Sequence, residues 1–341
     1  MKIGVLTGGG DAPGLNAAIR GVARRAFQGG DEVLGIHEGW QGLLEGLAEP
    51  LTPEGVSNIL IMGGTILGTS RTNPYKHEGG AVRCRANFGA WGLDALIAIG
   101  GDDTLGVAAR LCEEGLPCVG IPKTMDNDIS GTDYTIGFDT AVTIVADALD
   151  KLTTTTMSHR RVMVVEVMGR DAGWVALIGG MAGGADFILI PEVPADMDQL
   201  CDHLLHRWAI GKRYSVIVVS EGVQFQTGVD ESQMEKDEFG HIILKERGVG
   251  PKVADEIERR TGLETRVVVL GHLVRGGSPS LADRINAGRL GVVAVDYARE
   301  GRWGYMPAIQ GSQVVPVRLA DAVSQTKTVD LELYHLAKVF F

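Results

Sequence analysis

At 341 residues, and roughly 150 per domain, the chain has room for about two domains and a large buried core. Its net charge of −11 argues against nucleic acid or an anionic membrane as a partner, while leaving room for a local basic pocket. A composition of 45% hydrophobic and 22% charged residues excludes global disorder, and no run nears the ~18 apolar residues of a membrane span. Glycine is the unusual figure. The chain has 48 glycines, about twice the average share of roughly 7%, without any short-period repeat. Glycine at that level marks turns where backbone must approach backbone or ligand. The opening run Met1–Thr7 is too short for a signal peptide, and Cys84, Cys112, Cys118 and Cys201 show no CxxC spacing. Both features point to a cytoplasmic protein with reduced thiols.

In chain order, short apolar runs read as buried parallel strands: Lys2–Thr7, Glu32–Ile36, Ala95–Ile99, Cys118–Ile121, Val162–Val167, Phe187–Ile190, Ser215–Val219 and Val267–Leu270. Helical patterns lie between most of them: Gly14–Phe27, Leu105–Glu114, Thr140–Thr155, Asp196–Ile210, Pro251–Arg260 and Leu281–Arg299. Gly115 follows Glu113-Glu114 and precedes Pro117, which is a helix stop signal. Strand and helix in alternation, with glycine or proline joints, imply doubly wound α/β sheets. The polar stretch Gln224–Gly240, acidic from Asp230 to Glu238, reads as a solvated loop or hairpin.

Ligands in such sheets bind where strands end at their carboxyl side, so those residues carry the chemistry. After the first strand comes Gly8-Gly9-Gly10-Asp11-Ala12-Pro13-Gly14, opening onto a helix N-terminus that favours phosphate. It is neither GxGxxG nor a P-loop. After the third strand comes Gly100-Gly101-Asp102-Asp103-Thr104, whose adjacent carboxylates suit Mg²⁺ shared with phosphate oxygens. Next stands Pro122-Lys123-Thr124-Met125-Asp126-Asn127-Asp128, with a cation, a hydroxyl and two acids in seven residues. Acid, metal and phosphate cradle together are the apparatus of phosphoryl transfer. The second half adds cations at strand edges: Arg160-Arg161, Arg170, Arg266, and His272 with Arg275. Arginine's planar fork suits phosphate, and this set fits a doubly phosphorylated sugar. His203 and His206 read as structural, and the five tryptophans show no nucleic-acid stacking pattern.

These segments, with Val167-Met168-Gly169-Arg170 and Gly271-His272-Leu273-Val274-Arg275-Gly276-Gly277-Ser278-Pro279, resemble the phosphofructokinase family. The five motifs keep the family order from residue 3 to about residue 290. The resemblance implies an α/β fold of two doubly wound α/β domains with the active site in the cleft between them. It divides the chain into residues 1–137 with 274–324 for the phosphoryl donor, and 138–273 with 325–341 for the sugar phosphate. It also implies transfer to the 1-hydroxyl of fructose 6-phosphate. By resemblance Asp126 is the general base, Asp102 holds Mg²⁺, and Asp128 supports metal or substrate geometry. Gly10, Arg71 and Thr104 meet the donor, and Arg170 stabilises the charge on the transferred group. Thr124, Met168, Gly169, Glu221, His272 and Arg275 line the sugar site. Arg161 and Arg266 match family positions that reach a neighbouring subunit's sugar phosphate, which implies a homodimer or homotetramer.

Asp103 and Lys123 decide the donor. The ATP-using bacterial branch has glycine at both places, whereas this pair is the pattern of the pyrophosphate-dependent branch. A carboxylate at 103 would fill the space of the ATP α-phosphate and repel it, by roughly 4 kcal/mol at 4 Å with an effective dielectric near 20. Pyrophosphate escapes both penalties, and Lys123 is expected to neutralise its terminal charge. Arg20 and Arg24 match an effector site of bacterial relatives, but Leu51–Met62 offers no third arginine. They therefore read as a solvated helix face or a subunit contact. The alternatives are an ATP-dependent kinase, a kinase of another ketose phosphate, and a silent sugar-phosphate sensor.

Overall fold

The computed structural model describes residues 1–224 and 248–341. The expected loop or hairpin at 224–240 lies, beyond Gln224, outside the described residues. The apolar runs became strands because burial on both faces needs continuous hydrophobic sequence. One sheet gathers β1 (Lys2–Thr7), β2 (Glu32–Ile36), β3 (Ala48–Pro50), β4 (Ala95–Gly100) and β5 (Cys118–Pro122). Around it lie α1 (Leu15–Gln28), α2 (Trp40–Glu45), α3 (Gly80–Ala90) and α4 (Asp102–Glu113). Gly115, at φ 94, ends the α4 turn as its sequence position implied.

The second sheet follows with α5 (Phe138–His159), β6 (Val162–Val167), α6 (Trp174–Ala182), β7 (Phe187–Leu189), α7 (Met197–Ala209) and β8 (Ser215–Ser220). It is completed by α8 (Val249–Thr261) and β9 (Thr265–Val269). The chain then returns through α9 (Leu281–Arg299), β10 (Tyr305–Gln310), β11 (Gln313–Arg318), α10 (Leu319–Ala322) and α11 (Leu331–Ala337). The first sheet has the order β11-β10-β5-β4-β1-β2-β3, and the second β7-β8-β6-β9. All pairs in the second sheet are parallel; the first carries antiparallel edges in β3 and β11.

Three differences from the sequence reading have plain causes. Strand β9 starts at Thr265 rather than Val267, because Thr265 and Arg266 already pair with Val162 and Met163. The β10–β11 hairpin carries Pro307 and Pro316, which read as strand breakers in the sequence and stand opposite each other in the pair. Helix α6 is not among the helical patterns of the sequence reading. Its Gly179 lets α5 in close, since a Cβ there would sit 2.7 Å from Val145.

Each lobe has its own cores, and the chain crosses between the lobes repeatedly. Leu290, Ala294 and Val295 of α9 pack with α1 and the first sheet. Val329 and the α11 residues Tyr334 and Ala337 pack with the second. Buried Asp283 of α9 laces the crossing, accepting from Gly137 N at 2.9 Å and Thr140 N at 2.8 Å at the start of α5. Among the described residues no helix is long and apolar enough to cross a membrane.

Candidate active site

One wall of the cleft is a glycine ledge. Gly8 N donates to Ile99 O at 3.0 Å, and Gly9 N to Ser70 O at 3.0 Å. Thr69 Oγ1 donates to Gly9 O at 2.6 Å, so the loop after β1 and the segment bearing exposed Arg71 move as one. The Arg275 guanidinium lies against Gly10: a Cβ there would sit 2.7 Å from Nη1, so the arginine tip would have to shift. That guanidinium donates to Asp11 O at 2.9 Å, pinning the turn after β9 to the ledge. Asp102 and Asp103 form the first turn of α4, where the helix dipole favours anions and bound phosphate alike. Thr104, buried beneath them, packs under Gly8 and Gly100.

Lys123 departs from its expected pose. It is 2% exposed, and its Nζ donates to Gly8 O at 3.1 Å and also to Gly10 O, from beneath the ledge rather than into the open cleft. Burial pulls its ammonium down to about 7, Arg275 adds to this, and Asp11, Asp102 and Asp128 oppose it.

The loop after β5 carries the acids. Asp126 N donates to Thr124 Oγ1 at 3.1 Å. Asn127 sits in the left-handed region at φ 54, its Oδ1 accepting from Thr135 N at 3.0 Å and its Nδ2 donating to Asp133 O at 3.0 Å. That clasp fixes the backbone between the two acids. Among the described residues, Oδ1 of Asp126 and Oδ1 of Asp128 are buried without a hydrogen-bond partner. Burial pushes the Asp126 carboxyl up, Arg275 and Arg170 oppose, and Asp171 and Asp102 push further. Burial and the charges of Asp126 and Asp102 raise Asp128 to about 7.

Opposite stand residues at the carboxyl ends of the second sheet. Met168, Gly169 and Arg170 follow β6, Glu221 follows β8, and His272 and Arg275 lie in the short turn Gly271–Arg275 after β9. Gly169 N approaches Glu221 Oε1 at 3.4 Å, and burial, then Asp126, lifts Glu221 to about 7. Arg170 pairs with Asp171 at 2.7 Å while its field still reaches Asp126.

Two expected residues stand apart. Arg161 immediately precedes β6 and Arg266 is the second residue of β9, both at the amino ends of their strands. At about 3.3 Å per residue, the six residues of β6 put Arg161 roughly 20 Å from the carboxyl edge of the sheet, and Arg266 lies roughly 10 Å from the end of β9. Both pair with Glu264, at 3.6 Å and 2.8 Å. A single chain therefore does not bring them to the site. Sequence reasoning also missed Asn127 and Asp171, whose only signal was adjacency to assigned acids and arginines. Arg24 is exposed, reaching Pro53 O at 3.4 Å, and Arg20 keeps a buried Nε without a partner among the described residues.

A family model described as phosphofructokinase matches residues 2–298. The pyrophosphate--fructose 6-phosphate 1-phosphotransferase of Dictyoglomus thermophilum is 52% identical over 343 residues, covering 100% of this chain and 99% of that protein. The ATP-dependent 6-phosphofructokinase of Corynebacterium efficiens is 46% identical over 344 residues, again covering 100% of this chain and 99% of that protein. Among solved structures, Pichia pastoris phosphofructokinase in the T-state gives a TM-score of 0.83 at 32% identity, over 99% of this chain and 36% of that one.

Proposed function

The chain belongs to the phosphofructokinase family, and on that premise we propose that it transfers a phosphoryl group from pyrophosphate to the 1-hydroxyl of fructose 6-phosphate. The observation that carries the donor reading is Asp103 on the first turn of α4 together with Lys123 buried under the adjacent ledge. A carboxylate there narrows the space a nucleotide would need, while the cation beneath favours a compact, highly charged anion. The 52% full-length identity to the Dictyoglomus enzyme supports the same donor.

In this reading residues 1–137 with 274–324 hold the donor, and 138–273 with 325–341 hold the sugar phosphate. Asp126 accepts the proton of the 1-hydroxyl as its oxygen bonds to phosphorus and the pyrophosphate P–O bond breaks, releasing phosphate. Arg170 faces the charge that develops on the transferred group. Gly10, Arg71 and Thr104 seat the donor; Thr124, Met168, Gly169, Glu221, His272 and Arg275 seat the sugar. Among the described residues no three acid, histidine or cysteine groups could hold a metal by themselves. The unpartnered carboxylate oxygens of Asp126 and Asp128, with exposed Asp102 nearby, nevertheless fit Mg²⁺, which takes one or two carboxylates and completes its shell with phosphate and water. Asp102 would hold it, with Asp128 in support. Mg²⁺ bound there neutralises charge on the phosphoryl oxygens.

A coupled assay at fixed Mg²⁺ tests the donor. The expected result is a kcat/KM for pyrophosphate at least about 100-fold above that for ATP; a preference for ATP would make the protein an ATP-dependent phosphofructokinase.

Arg161 and Arg266, remote from their own cleft, support active sites shared in a homodimer or homotetramer. Mixing Arg161→Ala with Asp126→Ala protein should then restore part of the activity, because some hybrid sites contain neither defect. No recovery after verified subunit exchange overturns sharing.

A further inference from the structure

Residues 326–329 form a strap that touches both sides of the cleft. Thr326 bridges to Ile129, and Lys327 N donates to Asp128 O at 2.8 Å. The Lys327 ammonium donates to Thr132 O at 2.8 Å and Asp133 O at 3.0 Å, closing the loop that carries Asp126 and Asp128. On its other side, Trp174 Nε1 donates to Lys327 O at 2.9 Å, and the ammonium lies 5.2 Å from the Trp174 ring centre. Trp174 opens α6 directly after the Arg170 loop. Glu192 completes the link, since its Oε1 accepts from Gly173 N and Val329 N, each at 2.9 Å.

The geometry points to Lys327 as a positioning residue for phosphoryl transfer, joining the loop of the base to the loop of the arginine across the cleft. It does not touch the reacting atoms. It fixes the separation of two groups that must meet the same phosphoryl group from opposite lobes. Misplacement by about 1 Å can cost about 100-fold in rate, whereas each substrate is seated mostly by residues of the ledge and strand ends. This inference rests on the activity proposed above.

Lys327→Met keeps the side-chain volume and removes the donors. Its kcat with pyrophosphate is expected to fall 10- to 100-fold with both KM values within about 3-fold of the parent. Lys327→Arg, whose fork can still serve two carbonyls, should recover most of the rate. Tyr334→Phe is the stability control, since Tyr334 OH anchors the same C-terminal segment by donating to Ile188 O at 3.1 Å, away from both loops' hydrogen bonds. It should lower Tm with kcat unchanged. Hydrogen exchange of the free enzyme gives a readout independent of turnover: Lys327→Met should speed exchange in residues 124–135 and 170–174 together. A parent inactive with pyrophosphate refutes the proposed donor and leaves the exchange result to judge the strap. Unchanged kcat in Lys327→Met, exchange confined to one loop, or an equal kcat loss in Tyr334→Phe overturns the positioning role.

Discussion

Replacing Asp126 by asparagine is expected to lower kcat by about 10²- to 10⁴-fold while leaving fructose 6-phosphate binding largely intact. Asparagine keeps the shape but cannot accept the hydroxyl proton. Stability should move the other way. Burial raises the folded carboxyls of Asp126, Asp128 and Glu221 above their unfolded values, the latter two to about 7. A raised carboxyl contributes stability that is full below its unfolded value, near 4, and is lost as pH rises through its folded value. The Mg²⁺-free parent should therefore lose Tm between about pH 4 and pH 7, and Asp126→Asn should flatten that decline. Equal kcat in mutant and parent would remove Asp126 from the role of base. Loss of sugar-phosphate binding alone would make it a residue that only seats the substrate.

Asp103→Gly is expected to make ATP usable, even at reduced overall rate, by clearing the first turn of α4 and removing a like charge. Lys123→Met is expected to cut kcat/KM for pyrophosphate by about 100-fold. The structure favours methionine over glycine for this test, because Lys123 is buried and glycine would also carve a cavity under the ledge. The carbonyls of Gly8 and Gly10 lose a donor in either case, costing about 1–3 kcal/mol of local stability. Steady-state kinetics with both donors checks the pair. ATP unusable by Asp103→Gly with pyrophosphate kinetics unchanged, or Lys123→Met as fast as the parent, would defeat the division of roles.

Elements with one-dimensional signals were legible. Strands β1, β2 and β6 and helix α9 fall where apolar run length and helical period put them. The β10–β11 hairpin was not, because its prolines mimic breakers until they are seen to face each other. In the site, Asp102, Asp126, Asp128 and Arg170 follow strands, and a parallel sheet delivers its carboxyl ends to one edge, whereas Arg161 and Arg266 precede or open theirs and lie at the other. The direction of the Lys123 side chain could not be read from position. Extended and folded-under poses share one sequence, and only the carbonyls of a loop 113 and 115 residues away choose between them. Lys327 has the same difficulty in stronger form: its partner Trp174 is 153 residues distant, and Thr326-Lys327-Thr328 has no period or motif to mark it.

The late return of the chain bears on how the molecule is made. As the polypeptide leaves the ribosome, β5 waits for β10 as its outer neighbour, and α1 waits for α9 to cover it. All of β6 to β9 is synthesised in that interval. The second sheet's core beneath α5 and α6 in turn lacks part of its packing until Val329, Tyr334 and Ala337 arrive. The first lobe's cores draw on residues up to Ala322 and the second's on Val329, Tyr334 and Ala337, so a nascent chain stalled near residue 300 holds two incomplete cores.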